Sequence, residues 1–228
     1  ASDVYKRQLL AFLLLSDRAD APTPSETPVV DDRMPVEPDG GIGDGAEPLE
    51  PIDPEPEIEP TTIIGKSVEG KDITAYHFGE GSREVLFVGG VHSGFAPNTT
   101  DVSMELVSAL EDGEIDIPDN LMVTVIPNLN PDSPNSPNTL AGRLNSNNVD
   151  LNRNFDCEWS SEGTWRDTPV SGGDRAFSEP EAIAIRDYVA SNNIAGAVVY
   201  YAADGGVYAS NCGGSLSSEI AALTGAVS

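Results

Sequence analysis

The stretch Gly142-Arg143-Leu144-Asn145-Ser146-Asn147-Asn148-Val149-Asp150-Leu151-Asn152-Arg153-Asn154-Phe155 concentrates the residue types suited to gripping an anion. A guanidinium presents parallel N–H groups that match the two oxygens of a carboxylate, and an Asn amide donates alongside them. Arg143 and Arg153 stand out because the chain holds only 12 Lys and Arg against 38 Asp and Glu. The segment has little apolar periodicity and is read as a loop. The same residues support a second reading, in which Arg–Asp pairs and Asn-to-backbone hydrogen bonds hold that loop together.

The elements that must position this loop follow from apolar spacing. Residues Ile73 to Phe78 alternate and are bounded by Gly79 and Gly81, as expected of an early strand. Val85-Leu86-Phe87-Val88 is a continuous apolar run, the pattern of a strand buried on both faces. It ends in Gly89-Gly90-Val91-His92-Ser93-Gly94, where two glycines suit a tight strand exit. Val102, Leu106 and Leu110 fall at helical spacing, with Thr99 or Thr100 as the expected cap. Met122 to Ile126 is the next strand, and an Asn-, Pro- and Ser-rich loop runs on from Asn128 to Asn138.

Farther on, Ser178-Glu179-Pro180-Glu181 predicts a helix start with Ser178 as cap. Ala184, Ile185, Tyr188 and Val189 then recur on one face. A strand is expected from Ala197 to Tyr201 and a helix from Ser217 to Val227, while Trp159 and Trp165 are read as packing residues. Strands alternating with helices predict an α/β domain with a mixed, mostly parallel sheet flanked by helices. Ligands of such sheets sit beyond the carboxyl ends of the strands. His92, the loop after Ile126 and the residues after Tyr201 occupy such positions.

A formal charge of −26 argues against nucleic acid and anionic membranes as partners, because both are held by clustered Lys and Arg. From Asp17 to Pro60 there are 14 acidic residues, two arginines and ten prolines. Residues 17–60 are therefore expected to be a disordered acidic linker that cannot bury a core. Lys6 and Arg7 precede an apolar run from Leu9 to Leu15, so residues 1–16 read as the remnant of a secretory signal. That run is too short to span a bilayer. The expected location is outside the cell or on its surface, where Cys157 and Cys212 can form a disulfide. Residues 61–228 remain for the folded domain.

Several segments, in order, carry a resemblance to the funnelin-type zinc carboxypeptidases, in a secreted bacterial branch. They are the turn Gly89-Gly90-Val91-His92 with the helix start Asn98-Thr99, Arg143-Leu144-Asn145, and Val149-Asp150-Leu151-Asn152-Arg153-Asn154-Phe155. Phe155-Asp156-Cys157-Glu158-Trp159, Ser171-Gly172-Gly173 and Phe177-Ser178-Glu179-Pro180-Glu181 follow. The resemblance begins near Ile64 and implies the N-terminal part of a carboxypeptidase-like fold. It implies His92 as a zinc ligand and Asn152 and Arg153 as binders of the terminal carboxylate of a peptide or cell-wall peptide. Arg143 would stabilise the oxyanion of the tetrahedral intermediate, and zinc would activate a water.

The same resemblance exposes departures. The family's second metal ligand, a Glu, aligns with Ala96, and its third, a His, falls near Tyr201. The other histidine, His77, lies mid-strand upstream, and Asp204 is the nearest substitute ligand after Tyr201. The family's general base, a Glu far downstream, has no counterpart up to Ser228. Two expectations result. One is a zinc metallocarboxypeptidase relative, acting in its family on C-terminal residues of peptides or peptidoglycan stems, that is inactive in this chain. The alternative is a non-catalytic module that binds peptide carboxylates.

Overall fold

A computed structural model describes residues 59–157 and 159–201. The signal remnant, nearly all of the acidic linker, the helix expected at 217–227, Asp204 and Cys212 lie outside the described residues, so the Cys157–Cys212 pairing does too.

The elements run β1 (Thr61–Lys66), β2 (Asp72–Phe78), β3 (Arg83–Val88), α1 (Asn98–Glu111) and β4 (Leu121–Ile126). A single 3-10 turn (Leu151–Arg153) follows, then β5 (Glu162–Trp165), β6 (Thr168–Ser171), α2 (Pro180–Ser191) and β7 (Ile194–Val199). Five strands form one sheet in the order β1-β2-β4-β3-β7, and β5 and β6 form a separate hairpin. The pairs β1–β2 and β2–β4 are antiparallel, whereas β3 pairs in parallel with both β4 and β7. The sheet is thus mixed, as expected, and its parallel half decides where chemistry can sit. Because β3, β4 and β7 share a direction, the turns that follow them emerge along one edge of the sheet.

Alternate residues of β3 feed two cores. Val85 and Phe87 pack with Leu106, Val107 and Leu110 of α1 and with Leu121, Val123 and Val125 of β4. Leu86 and Val88 pack with Ile73, Ile126 and Leu151 and with Ala184 and Ile185 of α2. The two helices therefore cover opposite faces, and β3 is sealed on both, which explains its unbroken apolar run. Phe87, Leu86 and Ile126 are essentially inaccessible, each contributing about 2–3 kcal/mol by burial.

Both helix starts are capped differently from the sequence expectation. Pro97 stands at the N-cap of α1, and no side chain caps that helix. The Thr99 hydroxyl donates to the Ala96 carbonyl at 2.8 Å and accepts from Gly90 N–H at 3.3 Å, tying the turn after β3 to the helix. Gly90 is held at φ +62, a left-handed conformation that suits glycine. At α2 the N-cap is Glu179, because the Ser178 hydroxyl is engaged by the Asn154 amide at 2.8 Å. Val189 is 42% exposed, so the buried face of α2 is Glu181, Ala182, Ala184 and Ile185. The last strand among the described residues is Ile194–Val199 instead of 197–201. Strand β1 and the β5–β6 hairpin were not expected, and the sheet takes in Pro60, whose carbonyl accepts from His77 N–H at 2.9 Å. No helix among the described residues is long and apolar enough to cross a membrane.

Candidate carboxylate-binding site

The arginine loop is held by its own polar residues. Asn145 accepts from the backbone N–H groups of Asn147 and Val149 at 3.1 and 3.0 Å and donates to Glu179 and Glu181 at 2.7 and 3.2 Å. Asn154 is fully buried, donating to the Gly172 carbonyl at 2.7 Å and accepting from Glu179 N–H at 3.0 Å. Asp150 N–H donates to the Ser171 carbonyl at 2.9 Å, which pins the loop to the hairpin. The hydrogen bonds expected of a self-bracing loop are therefore present, made by Asn145 and Asn154. Asn152, by contrast, is exposed.

Asp150, the one acid of the loop, is the hub of the Arg–Asp pairs that the self-braced reading expected, although it was not singled out as a site residue. Its carboxylate is fully buried and caps the 3-10 turn by accepting from Asn152 N–H at 3.2 Å. It receives Arg143 Nε at 2.9 Å and Nη2 at 3.4 Å, and it also receives Arg153 Nη1. One buried anion thus holds two guanidiniums side by side and leaves one positive charge over. Arg153 is the more open of the two, with 28% of its side chain exposed against 10% for Arg143. Its Nη2 also donates to the Thr164 carbonyl of β5. A Cβ on Gly163 would lie 2.6 Å from Arg153 Nε, so glycine is what lets this side chain lie across the hairpin.

His92 lies against this group. It is 1% exposed, and its Nδ1 donates to the Arg143 carbonyl at 2.9 Å. Nε2 is buried without a hydrogen-bond partner, 3.7 Å from Asp150 Oδ1. Burial first, and then the neighbouring Arg143 charge, depress its pKa to about 4, so the ring is neutral near pH 7. Tyr201 packs against it with ring centroids 6.0 Å apart. Burial and then the Asp150 charge raise the Tyr201 hydroxyl above the ordinary tyrosine range.

The structure therefore brings His92, Arg143, Arg153 and Tyr201 together around Asp150. The bare Nε2 of His92 is a suitable first ligand for zinc, but the shell around it does not supply a second or third. Ser93 to Asn98 contains no carboxylate, Ala96 spends its N–H on the His92 carbonyl, and the Asp150 oxygens are taken by guanidiniums. Among the described residues no group of three His, Cys, Asp or Glu side chains is arranged to hold a metal ion. These residues do not fit the family's zinc site. His77 is no substitute, since Thr124 and Thr62 hydroxyls lie 3.0 and 2.8 Å from its two ring nitrogens.

The hairpin completes the wall. Trp165 meets Phe95 edge-on at 5.4 Å, and the Arg143 guanidinium lies 5.5 Å from the Trp165 ring centroid. Trp165 therefore packs, as expected, although its partners are a cation and a ring of the His92 turn. Trp159 also packs, donating Nε1–H to the Gly172 carbonyl at 2.9 Å. A separate open groove of about 880 Å³, lined by residues including Gly163, Thr164, Pro169 and Asp174, runs along the hairpin. None of His92, Arg143, Asn152 or Arg153 lines it.

Among solved structures, the chain is similar to a carboxypeptidase A from Helicoverpa armigera, with a TM-score of 0.51 and 20% identity over 64% of this chain and 41% of that one. That likeness is one of fold. The murein-tripeptide amidase from Escherichia coli O157 gives a TM-score of 0.49 and 23% identity over 64% of this chain and 63% of that one. Bovine thrombin-activatable fibrinolysis inhibitor gives 0.49 and 18% identity, over 61% and 52% respectively. The chain thus spans about half the length of these three solved structures, from 41% to 63%. No curated protein matches it. The sequence profile of the zinc carboxypeptidases matches residues 53–210, and with that match over well more than half of its length the chain belongs to the zinc carboxypeptidase family.

Proposed function

We propose that this protein binds the free C-terminal carboxylate of peptides or cell-wall peptides at Arg143, Asn152 and Arg153, and that this chain does not cleave them. The observation that carries this reading is the Asp150 hub, which presents two guanidiniums together and leaves one positive charge uncompensated. Arg153 is partly exposed, Asn152 is exposed beside it, and a carboxylate can take the place of the Thr164 carbonyl on Arg153. The proposed lack of cleavage rests on the donor set around His92, where Ala96 and Tyr201 stand at the family's ligand positions. In this reading Arg143 serves the bound carboxylate instead of an oxyanion. The reading takes residues 1–16 as an export signature, which would suit a domain at or beyond the cell surface, where such peptides occur.

A second reading is favoured by the unpartnered Nε2 of His92 together with family membership. In it the protein hydrolyses C-terminal residues with zinc, the remaining ligands coming from residues outside those described. One pair of measurements separates the two. Peptide binding that persists in chelator and is lost on Arg153→Ala supports the binding module. About one tightly held zinc per chain by elemental analysis, with release of a C-terminal residue, supports the hydrolase and overturns the first reading.

A further inference from the structure

We propose that Arg166, at the tip of the β5–β6 hairpin, makes this site select peptides that end in an acidic residue. The inference rests on the carboxylate-binding reading and names the ligand class that the reading leaves open. Its first support is placement. The Arg166 guanidinium lies 4.7 Å from the Trp165 ring centroid and 5.7 Å from that of Phe95. Arg143 lies 5.5 Å from the same Trp165 ring. One indole therefore holds two cations within its own reach, and the hairpin brings the outer one to the rim of the Asp150 cluster.

The second support is charge. Asp150 neutralises only one of Arg143 and Arg153, which matches a ligand with one carboxylate. Arg166 is exposed and, among the described residues, forms no ion pair, so it adds a second positive charge that no described carboxylate neutralises at contact distance. Three of the chain's 12 basic residues thus gather here in a molecule of charge −26. The overall field repels a dianion, so a preference for one must come from this local cluster.

Backbone conformation gives the third support. Arg166 and Asp167 have φ of +48 and +63, the left-handed pair that closes a two-residue hairpin. Asn and Gly suit such positions and a long side chain does not, so the tip carries an arginine against its local preference. Replacing Arg166 by Asn therefore removes the charge with the fold retained, and an unchanged or higher melting midpoint verifies this.

The test uses the whole chain and three fluorescently labelled peptides in low salt. They are identical except that one ends in Glu, one in Gln, and one in Glu with an amidated C-terminus. The Glu-ended peptide should bind about fivefold more tightly than the Gln-ended one, the size expected of one partly exposed ion pair. Arg166→Asn should bring the two affinities together, and added salt should narrow the wild-type difference. Equal wild-type affinity for the Glu- and Gln-ended peptides, with the amidated one weaker, overturns this inference and leaves the carboxylate reading standing. A preference for Glu that survives Arg166→Asn also overturns it. If the amidated peptide binds as well as the others, the carboxylate reading fails and the inference falls with it.

Discussion

The Nδ1 of His92 sits 2.9 Å from the carbonyl oxygen of Arg143, a bond that ties the turn after β3 to the arginine loop 51 residues later. It also decides which ring nitrogen carries the proton. In chelator-treated protein at pH 7, nitrogen NMR should show His92 as a neutral ring protonated at Nδ1. A ring protonated at Nε2, or at both nitrogens, would contradict this geometry.

Asp150 is fully buried and holds both guanidiniums, so Asp150→Asn leaves two arginines short of their counter-ion. Breaking one side of such a group is expected to cost about 3 kcal/mol or more. Urea unfolding measures it, and a loss below about 1 kcal/mol would mean that Asp150 is not the hub.

Gly163→Ala places a methyl 2.6 Å from Arg153 Nε and 2.7 Å from its Cδ. Arg153 must move off the hairpin while the strand stays intact. The expected result is a small change in melting temperature with a loss of carboxylate-peptide affinity of about tenfold, the size of one charge-assisted hydrogen bond. Unaltered affinity would show that Arg153 binds peptide from another position or not at all.

Glu181 titrates against its surroundings. Burial raises its pKa above 4.5, and the Glu179 charge adds to the rise, against hydrogen bonds from backbone N–H groups and from Asn145. The folded state then binds more protons than the unfolded one between pH 4.5 and the raised value. Stability from this group is present below pH 4.5 and lost as pH rises through that window. Glu181→Gln cannot titrate, so its unfolding free energy should fall less steeply over the same range. Parallel pH profiles for the two proteins would refute the assignment.

Near the start of β3, the Tyr188 hydroxyl donates to Glu84, a strand carboxylate that is 1% exposed and whose second oxygen has no hydrogen-bond partner. Tyr188→Phe should cost about 2 kcal/mol, since it strands a buried anion. Adding Glu84→Gln should recover part of that loss, whereas additive losses would argue against the contact.

The parts legible in the sequence share a physical character. Val85–Val88 and Met122–Ile126 were readable as strands because both faces of β3 and β4 are buried, which writes a continuous apolar run in the first and one broken only by Thr124 in the second. β1 escaped because Thr61–Lys66 lies at one edge of the sheet among the described residues, with alternating partial exposure and few apolar residues. The hairpin escaped because Arg166-Asp167 replaces the Asn-Gly pair that usually signals such a turn. Arg143 and Arg153 were singled out by residue type and His92 by the family resemblance, and the three lie together around Asp150. Asp150 was anticipated as an Arg–Asp partner but not as the centre of the site, although an acid three residues before Arg153 at a turn start was the available signal. The caps failed because Thr99 is engaged by Gly90 and Ala96 of the turn just before the helix and Ser178 by Asn154 of the arginine loop, which spacing alone does not reveal.

Trp165, with the guanidiniums of Arg143 and Arg166 5.5 and 4.7 Å from its ring centroid, also makes the site its own optical reporter. The chain has only one other indole, Trp159, so a Trp159→Phe background isolates the emission of Trp165. A carboxylate drawn to either cation changes the electric field across that ring. Occupancy is then readable as a shift in ultraviolet emission, with no label attached to protein or ligand.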